Sequence, residues 1–158
     1  MNVKPKESQL GLPLTLLMAR DGFQVDPSQP RGRQSAGASF LDAYLNYSGN
    51  RHHSLVIPHK AEAEWFHSQA SAVNAHARTE AVGMNRWGDA SSNTGAFHLP
   101  GPNINDWAWK RMPWGDGAFS LIGIVHTLCS YNVQNALGHY TSAPVRPWDA
   151  LICPSQSA

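Results

Sequence analysis

The chain alternates short apolar runs with longer stretches of helical spacing, and few folds accommodate that order. Apolar runs recur at Leu14 to Met18, Leu55 to Ile57, Ala96 to Leu99, Phe119 to Val125 and Ala150 to Cys153. Each has the length of a buried strand. Between them apolar residues return every three or four positions, in Ser35 to Tyr47, Ala61 to Ala77, Asn103 to Lys110 and Tyr131 to Tyr140. In the first of these, Ala36, Phe40, Ala43, Tyr44 and Tyr47 are expected on one helical face; in the second, Ala63, Phe66, Ala70, Val73 and Ala77. Repeated strand-then-helix units make right-handed crossovers, which cover both faces of a parallel sheet with helices. The expected fold class is therefore α/β, a Rossmann-like parallel sheet of about five strands with helices on both faces. Thr79 to Thr94, rich in Gly, Asn, Ser and Asp, reads as an irregular loop.

At 158 residues there is room for one domain with a real interior. Hydrophobic residues make up 42% and charged residues only 15%, which excludes wholesale disorder and long solvated helices. Basic and acidic residues nearly balance, for a net charge of +1, and the basic ones are scattered, so no stripe exists to neutralise a nucleic-acid backbone. The two cysteines, Cys129 and Cys153, lack a C-x-x-C pattern and read as reduced core thiols of a cytoplasmic protein. The segment after Lys4 and Lys6 superficially resembles a secretory leader. It contains Pro13, runs into Arg20 and Asp21, and has no small-x-small cleavage site, so residues 1–10 read as a tail and the rest as a first strand. No apolar run reaches the roughly 20 residues that span a bilayer, although a peripheral membrane contact stays open.

In such sheets ligands collect beyond the carboxyl ends of the strands. Two segments fall there. The run Pro30 to Gly37, P-R-G-R-Q-S-A-G, joins the first strand to the first helix. Gly32 lets the backbone approach a ligand, and the helix that follows offers free N–H groups to an anion. It matches neither G-x-G-x-x-G, nor a Walker loop, nor the G-x-S-x-G elbow, and an ordinary tight turn is the competing reading. The second segment is His126-Thr127, which ends the fourth apolar run; a histidine there can donate a hydrogen bond or take a proton near neutral pH. The histidines His52, His53, His59, His67 and His76 form no metal-ligand spacing and read as solvated loop and helix residues; no metal is expected. Trp107, Trp109 and Trp114 read either as filling beneath a loop or as platforms for sugar rings or an apolar partner.

The runs G-I-V-H-T-L, from Gly123, and A-P-V-R-P-W-D-A-L-I-C-P-S, Ala143 to Ser155, resemble the N-terminal domain of bacterial glycosyltransferases of family four, which have the GT-B fold. G-R-Q-S-A-G at Gly32 to Gly37, Phe40-Leu41 and P-G-P at Pro100 to Pro102 are similar to the same proteins, so the resemblance extends from about Gly11 onward. It implies a partial GT-B N-terminal domain over residues 11–158, the acceptor-side part of a retaining enzyme that transfers a sugar from a nucleotide-activated donor. By position it implies His126 as the catalytic histidine at the donor sugar, Gly32, Arg33 and Gln34 in the loop against the donor phosphates, and Thr127 in support of His126. It implies a sugar or glycan acceptor, no cofactor and no metal, the nucleotide-sugar being substrate.

The family's second domain carries a Glu-x7-Glu pair, and the four glutamates, Glu7, Glu62, Glu64 and Glu80, include no pair at that spacing. Nucleotide-sugar binding would then need the missing C-terminal domain, and the chain alone would be inactive. P-S-Q-S-A at the end reads as a turn into a helix that does not follow, which predicts an exposed apolar sheet face and a truncated reading frame. A non-catalytic remnant or interaction module is the alternative from another class. A hydrolase using His126 ranks last, because no serine elbow or acid partner accompanies it.

Overall fold

A computed structural model describes residues 14–28 and 31–153. The tail at 1–10 and the turn at 154–158 lie outside the described residues. In chain order the strands are β1 (Thr15–Leu17), β2 (His52–Ile57), β3 (Arg78–Gly83), β4 (Ala96–His98), β5 (Ser120–Ile124) and β6 (Ala150–Ile152). They form one sheet in the order β3-β2-β1-β4-β5-β6, and every pairing is parallel. The helices are α1 (Gly32–Tyr47), α2 (Lys60–Val73), α3 (Trp87–Thr94), α4 (Ile104–Arg111) and α5 (Tyr131–Gly138). The chain is thus a Rossmann-like α/β layer.

Six strands replace the five expected, and the irregular loop at Thr79 to Thr94 is corrected to a strand and a helix. Strand β3 lies at the edge, where most of its side chains meet solvent, so it needs little of the apolar patterning that marks a central strand. It is held by unbroken pairing with β2, from His52 against Arg78 to Ile57 against Gly83. Helix α3 carries serines in its interior because their hydroxyls bond back along the helix: Ser91 Oγ donates to the Trp87 carbonyl at 2.7 Å and Ser92 Oγ to that of Gly88 at 2.8 Å.

Alternation along each strand divides the interior in two. On one face Leu16, Met18 and Leu55 pack with Leu41 and Tyr44 of α1 and with Phe66 and Ala70 of α2. On the other, Val56, Phe97 and Leu121 pack with Trp87 of α3 and with Ile104 and Trp107 of α4. Helix α1 buries Gly37, Leu41 and Tyr44, while Tyr47 is 85% exposed; its packing face is displaced from the one expected. The cause is a close approach: a Cβ at Gly37 would lie 1.9 Å from the Gly22 carbonyl oxygen, so only glycine lets α1 seat against the turn Arg20–Gly22. In α2, Val73 likewise turns outward, and Ala77 is buried beyond the helix end.

The margin formed by β5 and β6 is held differently. Asp149 and Arg111 side chains, both 0% exposed, form a bidentate pair at 2.6 and 2.9 Å. Arg111 also donates to the carbonyls of Phe119 and Pro144, and Asp149 accepts from the backbone N–H groups of Leu121 and Arg146. Leu121 and Leu151 face α4, so Ile122, Ile124 and Ile152 face the opposite way. On that side Ile152 is 41% exposed and Ile122 half-buried while Ile124 is buried, so the apolar sheet face expected to be exposed is uncovered only in part. Cys129 and Cys153 are both exposed free thiols, which corrects the reading of them as core residues. Cys129 lies in the loop between β5 and α5, and Cys153 directly follows β6. Among the described residues no helix is long and apolar enough to cross a membrane.

Candidate functional site

From β1 the chain steps through β2 to β3 on one side and then returns to build β4, β5 and β6 on the other. The carboxyl ends of β1 and β4 therefore mark a topological switch point, where loops diverge and leave a crevice. The N-terminus of α1 opens toward it. Arg31 at the N-cap is extended, no side chain caps the helix, and its first turn contains no acidic residue, so the positive end of the helix stays available to an anion.

The helix begins at Gly32, which moves Gly32, Arg33 and Gln34 from the expected loop into the first turn of α1. His126 lies beyond the end of β5, the fifth strand and not the fourth, because β3 adds one. These two segments meet. A Cβ placed on Gly32 would sit 3.7 Å from the His126 carbonyl oxygen, an ordinary contact, so glycine is not sterically required there. The His126 ring is half-buried with Nδ1 enclosed and unpartnered. Burial lowers its pKa, a bond to the Ile124 backbone opposes this, and the nearby Arg33 charge lowers it further. The net shift favours the neutral imidazole.

The remaining residues divide between ligand reach and local structure. Arg33 is partly exposed and donates to Asp21 Oδ2 at 2.8 Å, which holds the guanidinium at the rim. Gln34 Oε1 accepts from the Asp26 backbone N–H at 3.4 Å and pins the loop after β1. Thr127 Oγ1 accepts from the Cys129 backbone N–H at 3.1 Å; this closes a turn, and the support expected for His126 is not among its bonds. Beside α1's first turns, Ser35, Ala36, Ser39, Phe40, Ile124 and Ile152 line an apolar cavity of about 400 Å³.

One group near this cavity escaped sequence reasoning. His98, at the end of β4, is 0% exposed, and neither ring nitrogen has a hydrogen-bond partner. It stacks flat on Phe40, ring centroids 3.8 Å apart and planes 1° from parallel. Burial pushes its pKa down to about 3. The sequence carried a trace of it, a histidine within the apolar run Ala96 to Leu99. Of the five histidines read as solvated, His52, His59, His67 and His76 are exposed, but His53 is buried. Its Nδ1 lies 3.2 Å from Tyr44 Oη and its ring packs edge-on to Phe66, because strand alternation turns it toward α1 and α2.

Trp107 is buried, Trp114 packs against Trp87, and Trp109 is exposed. Among the described residues no group of three or more His, Cys, Asp or Glu side chains could hold a metal ion. The fold is a Rossmann-like α/β layer in which the first turn of α1 meets the segment after β5. No family model, curated protein or solved structure matches the chain.

Proposed function

We propose that the crevice receives the phosphate groups of a nucleotide-activated sugar, and that the chain is the acceptor-side part of a retaining glycosyltransferase. The observation that carries this reading is the meeting of the uncapped N-terminus of α1 with His126 and Arg33. A departing diphosphate accumulates negative charge; backbone N–H groups, a helix dipole and a guanidinium stabilise such charge without a bound metal. A neutral imidazole at the rim suits a donor hydrogen bond to the sugar. The adjoining apolar cavity would take part of the acceptor.

The test is a titration of the full chain with inorganic pyrophosphate and with nucleoside diphosphates, followed by calorimetry. The expected result is salt-sensitive binding that is lost in the double variant Arg33→Ala, His126→Ala. Binding that survives both changes refutes the site. A second reading, an interaction module, draws on the partly uncovered Ile122 and Ile152. It is favoured if no phosphate compound binds and the chain self-associates.

A further inference from the structure

A groove on the opposite face of the sheet from α1 runs between α4 and α5 and has a volume of about 500 Å³, within the range of small-ligand sites. Helix periodicity builds it. On α4, Asn105 and Trp109 stand one turn apart and so share a face. On α5, Asn132 and Asn135 stand three positions apart and share a face, His139 follows just beyond the helix end, and Ala136 forms the floor.

The chemistry of this lining is unusual for a helix surface. Among the described residues, Asn103, Asn132 and Asn135 make no side-chain hydrogen bond; Asn103 stands at the N-cap of α4 without using its side chain as a cap. Asn105 is 5% exposed, and its Nδ2 donates to Asp106 Oδ1 at 3.1 Å. Its Oδ1 is enclosed and accepts nothing. An acceptor buried without a donor is uncommon in a folded chain, and this one belongs to a residue of the groove wall. Above it, Trp109 leaves 59% of its surface exposed, whereas Trp107 is turned into the core.

We infer that this groove binds a neutral saccharide. A pyranose presents hydroxyls that each donate and accept, and carboxamides, with both a donor and an acceptor, match them in pairs. Its C–H face is apolar and lies flat on an indole such as Trp109. The lining carries one carboxylate, Asp106, and no lysine or arginine, which disfavours a phosphorylated ligand. The site lies across the sheet from His126 and stands independently of the phosphate reading.

The experiment is an NMR titration of the isotopically labelled full chain with glucose, mannose, galactose and short neutral oligosaccharides, following tryptophan indole and asparagine amide signals. The expected outcome is a millimolar response confined to Trp109, Asn105, Asn132 and Asn135, weakened about tenfold or more in Trp109→Ala. Asn135→Ala, on an exposed position, should weaken it too, and His126→Ala should leave it unchanged. No response to any of these sugars, or a response that persists in both groove variants, overturns the inference. A response abolished by His126→Ala assigns the sugar to the crevice and overturns it as well.

Discussion

The neutral state of His98 makes the stability of the fold acid-sensitive in a predictable window. The folded ring has its pKa pushed down to about 3 by burial, against 6.5 when exposed. Above the unfolded value both states hold a neutral ring, and pH has no leverage. Below it the unfolded chain takes up a proton that the folded chain refuses, so stability falls steadily until the folded pKa is reached. Between about pH 7.5 and pH 5 the loss is about 2 kcal/mol, from 1.5 pH units at about 1.36 kcal/mol each; near pH 3 it approaches about 5 kcal/mol. The assay is urea denaturation across this range for the parent chain and for His98→Leu, which keeps an apolar side chain against Phe40. Subtracting the two curves cancels the other titrating groups, including His53. The difference should be flat above about pH 7.5 and grow by about 2 kcal/mol at pH 5, with the variant at least as stable at neutral pH because no buried polar atoms remain unpaired. Parallel curves would show that the ring is protonated or hydrated in the folded state and refute the reasoning.

Two further outcomes test the packing. Asp149→Asn leaves the Arg111 guanidinium buried beside a neutral amide, which should cost about 3 to 5 kcal/mol in chemical denaturation. Gly37→Ala drives a methyl group into the Gly22 carbonyl and should cost about 1 to 3 kcal/mol, whereas Gly32→Ala, with 3.7 Å of clearance, should change the denaturation midpoint little.

Central strands were legible because they are buried on both faces and must be apolar throughout; Leu55 and Val56 serve different cores yet read as one run. Edge strand β3 was illegible for the converse reason, since Arg78 and Glu80 can remain wet while the backbone pairs with β2. Helix α3 was hidden by serine hydroxyls satisfied within the helix itself. The displaced face of α1 depends on Gly37 touching Gly22, a contact between segments that local periodicity does not encode. At the candidate site, the meeting of Gly32 with His126 followed from strand-end placement alone. The local bonds of Gln34 and Thr127, and the enclosure of His98 under Phe40, depend on three-dimensional packing; a histidine inside the run Ala96 to Leu99 was the one local sign of the last.

The sheet is sealed by hydrocarbon at its centre and by the Asp149–Arg111 clasp toward β6, and these two kinds of seal respond oppositely to temperature. Apolar contacts weaken on cooling, while the dehydration penalty of an enclosed ion pair eases on warming. The middle of the layer is thus its cold-sensitive seam, and the β6 margin gains relative strength with heat.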